Sequence, residues 1–589
     1  MNITKHIKEH IALQTDPFKS ANRAGLPYGS WMSDTFQGAD IYAMGFDKRP
    51  TVFFDPSDIS SLGWGTYKEP FTTKNELAQW VLGKSGNLAG QVLGMKRGSR
   101  ITGGLTMAGI YGSSASPFYV IPYGDAEAMP IISGGTVYTR TDVSSTGWAV
   151  TSNPAIYKVD LTSDCDVFDQ TYSGLVKRLI KTSEPVASEA AAIAALVAAG
   201  AGHSVYDNTT SPKKLYIYPF AGEPDWTQIE VMTANYAWSI TLADVATTGN
   251  VTLAGFHVRG ARASCMYTTL TAFTALPTAE NITVIGCQAS QAGYESVSNA
   301  AACVGIIINS ASDTYRIANL QLIGNYVYDN LTNGTEVSGV SSGHEWGNKV
   351  YHADQGIEMY NAVSLMQVHD NYIYGNFGGR TQLKGGNGSG IKLFGRNTAG
   401  STDTAINTGC KYYRNIVINQ KAEAISHIGA AGLAYNNTIQ GNNASGNTGI
   451  RADDDVTSHT CALNVRNNII RGTKTSGNGV LLFGGANVSL AGVATNSFSN
   501  PGASETIYDG GVGKVGIGAW NTYALATYGT GTDINTNPTL ASDGYTPTAE
   551  AMWNVGTVIA GYTERDWKGR PMLANGTDTK PALGAVARP

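Results

Sequence analysis

Two short patterns alternate through Tyr413-Arg414-Asn415-Ile416-Val417, Ala424-Ile425, Tyr435-Asn436-Asn437-Thr438-Ile439 and Gly449-Ile450. One has an apolar residue, an asparagine shortly after it and an apolar residue beyond. The other is a small residue followed by an aliphatic one. Working outward, the first recurs at Ile323-Gly-Asn325, Val368-His-Asp-Asn371 and Val465-Arg-Asn-Asn468. The second recurs at Gly305-Ile306, Gly356-Ile357, Gly390-Ile391 and Gly479-Val480. Two strand types in fixed order, separated by loops of uneven length and repeating every roughly 22–50 residues, predict a parallel β-helix. Equivalent residues then stack at the strand spacing of about 4.8 Å, and the asparagines form an internal amide ladder at a corner. A flat sandwich is the competing fold, but its strands recur every roughly 8–12 residues with hairpin turns.

Composition agrees with an all-β solenoid. Charged residues make up 14% of the 589-residue chain, against roughly 25% in ordinary globular proteins. Glycine occurs 70 times without a period of three, which excludes collagen. A net charge of −5 offers no basic footprint for nucleic acid. No apolar run is long enough to span a membrane. The six cysteines (Cys165, Cys265, Cys287, Cys303, Cys410 and Cys461) form no CxxC pair, and are read as buried reduced thiols. Cys287 falls in a repeat slot used elsewhere by asparagine.

The expected organisation has an N-terminal arm or virion adaptor at residues 1–50, then a capping helix and first coils at 51–149. An α/β insertion follows at 150–235, the main β-helix at 236–510, and C-terminal coils and cap at 511–589. Thr73-Lys-Asn-Glu76 is a capping box opening a short helix, a candidate lid on the first apolar layer. Ser188 and Gly200 bracket an alanine-rich helix in the insertion. The N-terminus has no hydrophobic signal-like core, so export is expected by another route, such as virion assembly and host lysis.

Aligning the glycine-type strands with a period of two turns Ile306, Ile357, Ile391, Ile425, Ile450 and Val480 inward. The next residues, Ile307, Glu358, Lys392, Ser426, Arg451 and Leu481, then point outward. Glu358 and Lys392 are therefore expected on adjacent rungs, with Arg451 two rungs beyond Lys392. As a plain surface ladder this is an ion pair worth under ~1 kcal/mol.

The stretch from Asp354 to Asn442 resembles the core of family-nine pectate lyases, which are right-handed parallel β-helices. Gly386-Asn387-Gly388-Ser389-Gly390-Ile391-Lys392-Leu393 matches that family's lysine motif, and Asn419-Gln420-Lys421-Ala422 resembles its next turn. Asp354-Gln355-Gly356-Ile357-Glu358 stands where the family has its calcium motif, with Gln355 and Glu358 replacing aspartates. The resemblance implies Lys392 as the base and Ca²⁺ near Asp354 and Glu358.

A uronate has a weakly acidic C5 proton beside its carboxylate. Its removal needs a base and something to neutralise that carboxylate. Glu358, Lys392 and Arg451 are the expected catalytic set. Arg380, Lys384, Arg396, Tyr360 and Trp346 are expected to bind substrate, the cations as carboxylate partners and the rings as stacking surfaces. The function expected is depolymerisation of an acidic polysaccharide by β-elimination, in a phage tailspike-type homotrimer. Alternatives are a glycoside hydrolase using Asp453 to Asp455 and a spike that binds glycan without cleaving it. Glu336 and Glu345 fall in what reads as a long loop, as do His344 and His352, a candidate metal or acid–base cluster.

Overall fold

The computed structural model describes most of residues 48–528, together with 556 and 583–585. Outside the description within that span are 59, 139, 141–146, 162–166, 170–176, 183–185, 208, 210, 246, 271–277, 294–302, 311–315, 376–387, 395–407, 430, 442–447, 454–460, 472–480, 485–487, 495, 500–505, 510–511 and 516. The expected arm at 1–50 lies almost wholly outside it.

Among the described residues the coils run through three long sheets of 13, 11 and 12 strands, here the first, second and third in coil order, and most coils give one strand to each. One coil runs Met366–His369, Tyr372–Tyr374, Ile391–Phe394. Pairing along all three sheets is parallel, apart from a final antiparallel pair, Thr506–Asp509 with Val512–Val515. The molecule is a right-handed parallel β-helix, the hand that parallel crossover connections take.

The corner between first and second sheets explains the asparagines. In each coil from Asn325 to Asn468, Nδ2 donates to Oδ1 of the next ladder asparagine and to a backbone carbonyl (Asn371 to Asn415 at 3.1 Å and to Glu345 at 2.8 Å). Ladder members stand 22 to 44 residues apart in sequence. Asn348 and Asn496 belong to the ladder too. The residue before each asparagine from Asn325 to Asn468 turns the chain with positive φ, as at Gly324 (59°), Asp370 (55°) and Asn436 (53°). These residue types tolerate that conformation, Arg414 (54°) being the exception.

The glycine of the other pattern answers to packing. A Cβ on Gly390 would lie 2.5 Å from Cγ1 of Val417 and 2.6 Å from the Ala424 carbonyl oxygen. The aliphatic stack is as expected from Ile306 to Ile450, except that Thr335 occupies a rung between Ile306 and Ile357. At its far end Ile450 pairs with Leu481, and Arg451 with Leu482, one residue on from the register expected.

Both ends of the apolar interior are covered. The helix Lys74–Gly83 forms the capping box at Thr73 and Glu76, and buries Leu77 and Val81 in the main core. Trp520 and Ala524 of the helix Ile517–Tyr528 join the same core at the other end. Between Thr136 and Tyr236 the chain leaves the stack to form two small sheets and the helix Glu189–Ala199, capped by Ser188, with apolar clusters of their own. Among the described residues, no helix is long and apolar enough to cross a membrane. Five cysteines are described, all buried and none in a disulfide.

Candidate active site

The third sheet carries the site. Strand pairing places Ile307, Glu336, Glu358, Lys392, Ser426 and Arg451 in one column on consecutive rungs. Nζ of Lys392 lies 3.4 Å from Oε1 of Glu358, with both side chains largely shielded (12% and 10% exposed). The same Nζ sits 4.6 Å from the centroid of the Phe394 ring, two residues along its strand. Phe394 stacks on Tyr360 of the preceding rung, with centroids 5.8 Å apart. Tyr360 thus flanks the Lys392 column.

Glu336 is the residue that sequence reasoning did not place. It lies on the strand Asn333–Ser338, a full rung of the helix and not a loop. Nδ2 of Asn333 donates to Oε2 of Glu336 at 2.8 Å and to Oε2 of Glu358 at 2.5 Å, tying the two carboxyls to one amide. Burial, and then the neighbouring Glu358, push the Glu336 carboxyl up to about 7 against the Asn333 hydrogen bond. Burial likewise holds Glu358 above the ordinary carboxylate range, which Lys392 and Asn333 offset only in part. The signal available in sequence was Gly334-Thr335-Glu336-Val337, a glycine-type strand with threonine in the aliphatic slot.

Arg451 is committed elsewhere. Its Nη1 donates to Glu423 at 2.8 Å, and Nε and Nη2 both meet Oδ2 of Asp453. Burial alone would lower its pKa, but these two carboxylates raise it. Glu423 in turn accepts from the Ser389 hydroxyl at 2.9 Å. The guanidinium is therefore engaged by two carboxylates of its own face.

Trp346 corrects another expectation. It lies on the first sheet, 7% exposed, stacked on His369 at 6.1 Å, and not on the Lys392 face. The alternation of the strand Gly343–Trp346 sends it to the corner and Glu345 inward. His344 is tied into a network: its Nδ1 is 3.2 Å from Nε2 of His369, whose Nδ1 is 2.8 Å from Asp370. His352 is elsewhere, on Asp329. Arg380, Lys384, Arg396, Asp454 and Asp455, and the glycine-rich loop preceding Gly388, lie outside the described residues.

The described residues do not fit a resident calcium ion. Asp354 accepts the Gly388 backbone N–H at 3.0 Å, Glu358 faces an amide on one oxygen and an amine on the other, and Glu336 shares that amide. Among the described residues, no three His, Cys, Asp or Glu side chains gather in a way that would hold a metal.

No protein-family model and no curated protein matches the chain. Solved structures similar to it include XylC, described in complex with xylose, at TM-score 0.50 and 11% identity over 91% of this chain and 98% of that one. Pectate lyase Pel9A gives 0.44 and 12% over 92% and 98%. The tailspike protein of E. coli bacteriophage HK620, in complex with pentasaccharide, gives 0.32 and 11% over 84% and 73%. What XylC shares with the chain is its fold.

Proposed function

We propose that this β-helix is a carbohydrate-active enzyme that cleaves a uronate-containing polysaccharide by β-elimination, with Lys392 as the base. The observation that carries the reading is the desolvated amine–carboxyl pair of Lys392 and Glu358, beside the stacked Tyr360 and Phe394. The lysine motif around it supports the same reading, and a β-helix described with xylose suits a sugar-handling scaffold.

Lysine is a base only without its extra proton. Burial disfavours an ion pair relative to the neutral pair in which the carboxyl holds the proton. In the step proposed, Lys392 passes its extra proton to Glu358, 3.4 Å away, and its lone pair then takes the C5 hydrogen of a bound uronate. The C5–H bond breaks, its electron pair forms the C4–C5 double bond, and the bond from C4 to the glycosidic oxygen breaks. Tyr360 and Phe394 offer ring faces to flanking sugars. With Arg451 occupied, the substrate carboxylate falls to Arg380, Lys384 and Arg396 in this reading.

Hydrolysis by the acidic triplet is less favoured, because Oδ2 of Asp453 is engaged by two nitrogens of Arg451. The setting we propose is a phage tail spike acting as a homotrimer, residues 1–50 serving as adaptor; sedimentation of the full chain tests the trimer. Incubation with polygalacturonate and alginate, recording ultraviolet absorbance and reducing ends together, tests the chemistry. Elimination gives both signals and hydrolysis only the second. Lys392→Ala should abolish both signals and keep the fold; unchanged activity in that variant would overturn the assignment.

A further inference from the structure

We propose that Glu336 is the acid that protonates the leaving glycosidic oxygen, a role resting on the elimination proposed above. An elimination driven by one base leaves an alkoxide unless a second group supplies a proton. The column Glu336, Glu358, Lys392 places a carboxyl two rungs from the base on the same outward face. Adjacent rungs stand about 4.8 Å apart, so both long side chains can reach one sugar residue lying over Glu358.

The surroundings of Glu336 keep it a proton carrier. Its neighbours are the amide of Asn333, the carboxyl of Glu358 and, one rung back, the apolar Ile307. Among the described residues no cation pairs with it. Glu358 is different, facing Lys392 as well as Asn333, with Asp354 close enough to be felt. Two desolvated carboxyls on one amide do not both ionise readily. In the step proposed Glu336 is therefore the proton donor, while Glu358, beside Lys392, passes protons between the two.

The protons balance over three sites. The cycle is counted from a state with one proton on each of Glu336 and Glu358 and with Lys392 as the neutral amine. Lys392 takes the C5 proton and Glu336 gives its proton to the departing oxygen, leaving Glu336 ionised and Lys392 charged. Transfer from Glu358 to Glu336, and then from Lys392 to Glu358, restores the starting state. No other reactant is consumed, and Glu358 becomes the relay between acid and base.

The test follows elimination and C5 exchange in D₂O with polygalacturonate and alginate, comparing wild type, Glu336→Gln, Glu336→Asp and Lys392→Ala. Glu336→Gln is expected to slow formation of the unsaturated product by about 100-fold or more, while NMR still shows C5 hydrogen exchanging for deuterium. Lys392→Ala loses both, and Glu336→Asp, which keeps a donor, recovers part of the rate. The basic limb of the pH–rate profile should vanish with Glu336→Gln. Product formation at the wild-type rate in Glu336→Gln, or exchange lost in step with elimination, overturns the acid and leaves Lys392 as base standing. A wild-type enzyme giving no unsaturated product from either polymer overturns the elimination itself, and the acid with it.

Discussion

Thr335 donates its hydroxyl to Oε1 of Glu345 at 2.6 Å inside the coil, and the other carboxyl oxygen, Oε2, is buried without a hydrogen-bond partner. Burial pushes this carboxyl up to about 7, which the Thr335 hydrogen bond only partly opposes. The folded chain thus binds a proton that the unfolded chain has already released. Stability contributed by this group is full below about pH 4.5 and falls as pH rises toward 7. The loss approaches about 3 kcal/mol at one pKa unit per 1.36 kcal/mol. Glu345→Gln, which keeps the shape without the charge, should raise the melting temperature at pH 8 and leave it nearly unchanged at pH 4. Chemical denaturation across that range checks it; equal pH slopes in the two proteins would refute it.

Asn371 is an interior member of the amide ladder, between Asn348 and Asn415. Its Oδ1 accepts from both Nδ2 and backbone N–H of Asn348, and its Nδ2 donates to Asn415 and to the Glu345 carbonyl. Asn371→Ala strands donors and acceptors on two neighbouring coils. With about 1–3 kcal/mol for each buried group left unsatisfied, a loss of several kcal/mol is expected from urea unfolding. Asn371→Asp should not rescue it, since a carboxylate cannot donate to Asn415.

Arg414 meets Asp370 with Nε at 2.8 Å and Nη2 at 2.7 Å, the whole pair being buried beside His369. Arg414→Met leaves an uncompensated carboxylate and should cost about 3–5 kcal/mol. The double variant with Asp370→Asn, which suits the left-handed backbone there, should recover part of the loss. Additive losses in the double-mutant cycle would show that the pair is not coupled.

Chelation separates two versions of the chemistry. With Asn333 and Lys392 occupying the oxygens of Glu358, activity on polygalacturonate is expected to survive dialysis against EDTA. It should also show no response to added calcium. A rate that collapses on chelation and returns with calcium would show that the carboxyls rearrange to hold an ion.

Much of this architecture was legible because its repeats answer to local constraints. The asparagine slot needs a side chain that both donates and accepts at a tight corner, and the glycine slot needs room beside a valine. Those demands recur wherever the backbone does, so Glu358 and Lys392 could be aligned from spacing alone. Glu336 escaped because Thr335, which serves the internal carboxyl of Glu345, replaces the aliphatic residue that marks the rung. The next coil hid Asn348, although Trp346-Gly347-Asn348 repeats Ile323-Gly324-Asn325. Trp346 was chosen for its ring and not for its face, and only the pairing shows that its strand belongs to the first sheet. The engagement of Arg451 by Glu423 and Asp453 depends on side-chain directions across neighbouring strands, which no spacing rule conveys.

Cys287 stands at the head of the asparagine series, its backbone N–H bonded to Asn325 at 3.0 Å and its thiol fully buried. A sulfhydryl there has no amide to pass the pattern to the coil before it. Unravelling of the main stack from that side would uncover the sulfur early, whereas unravelling from the opposite terminus would leave it shut away until late. The natural chain thus carries its own chemical clock for the order in which its coils come apart, readable by timed alkylation and mass spectrometry.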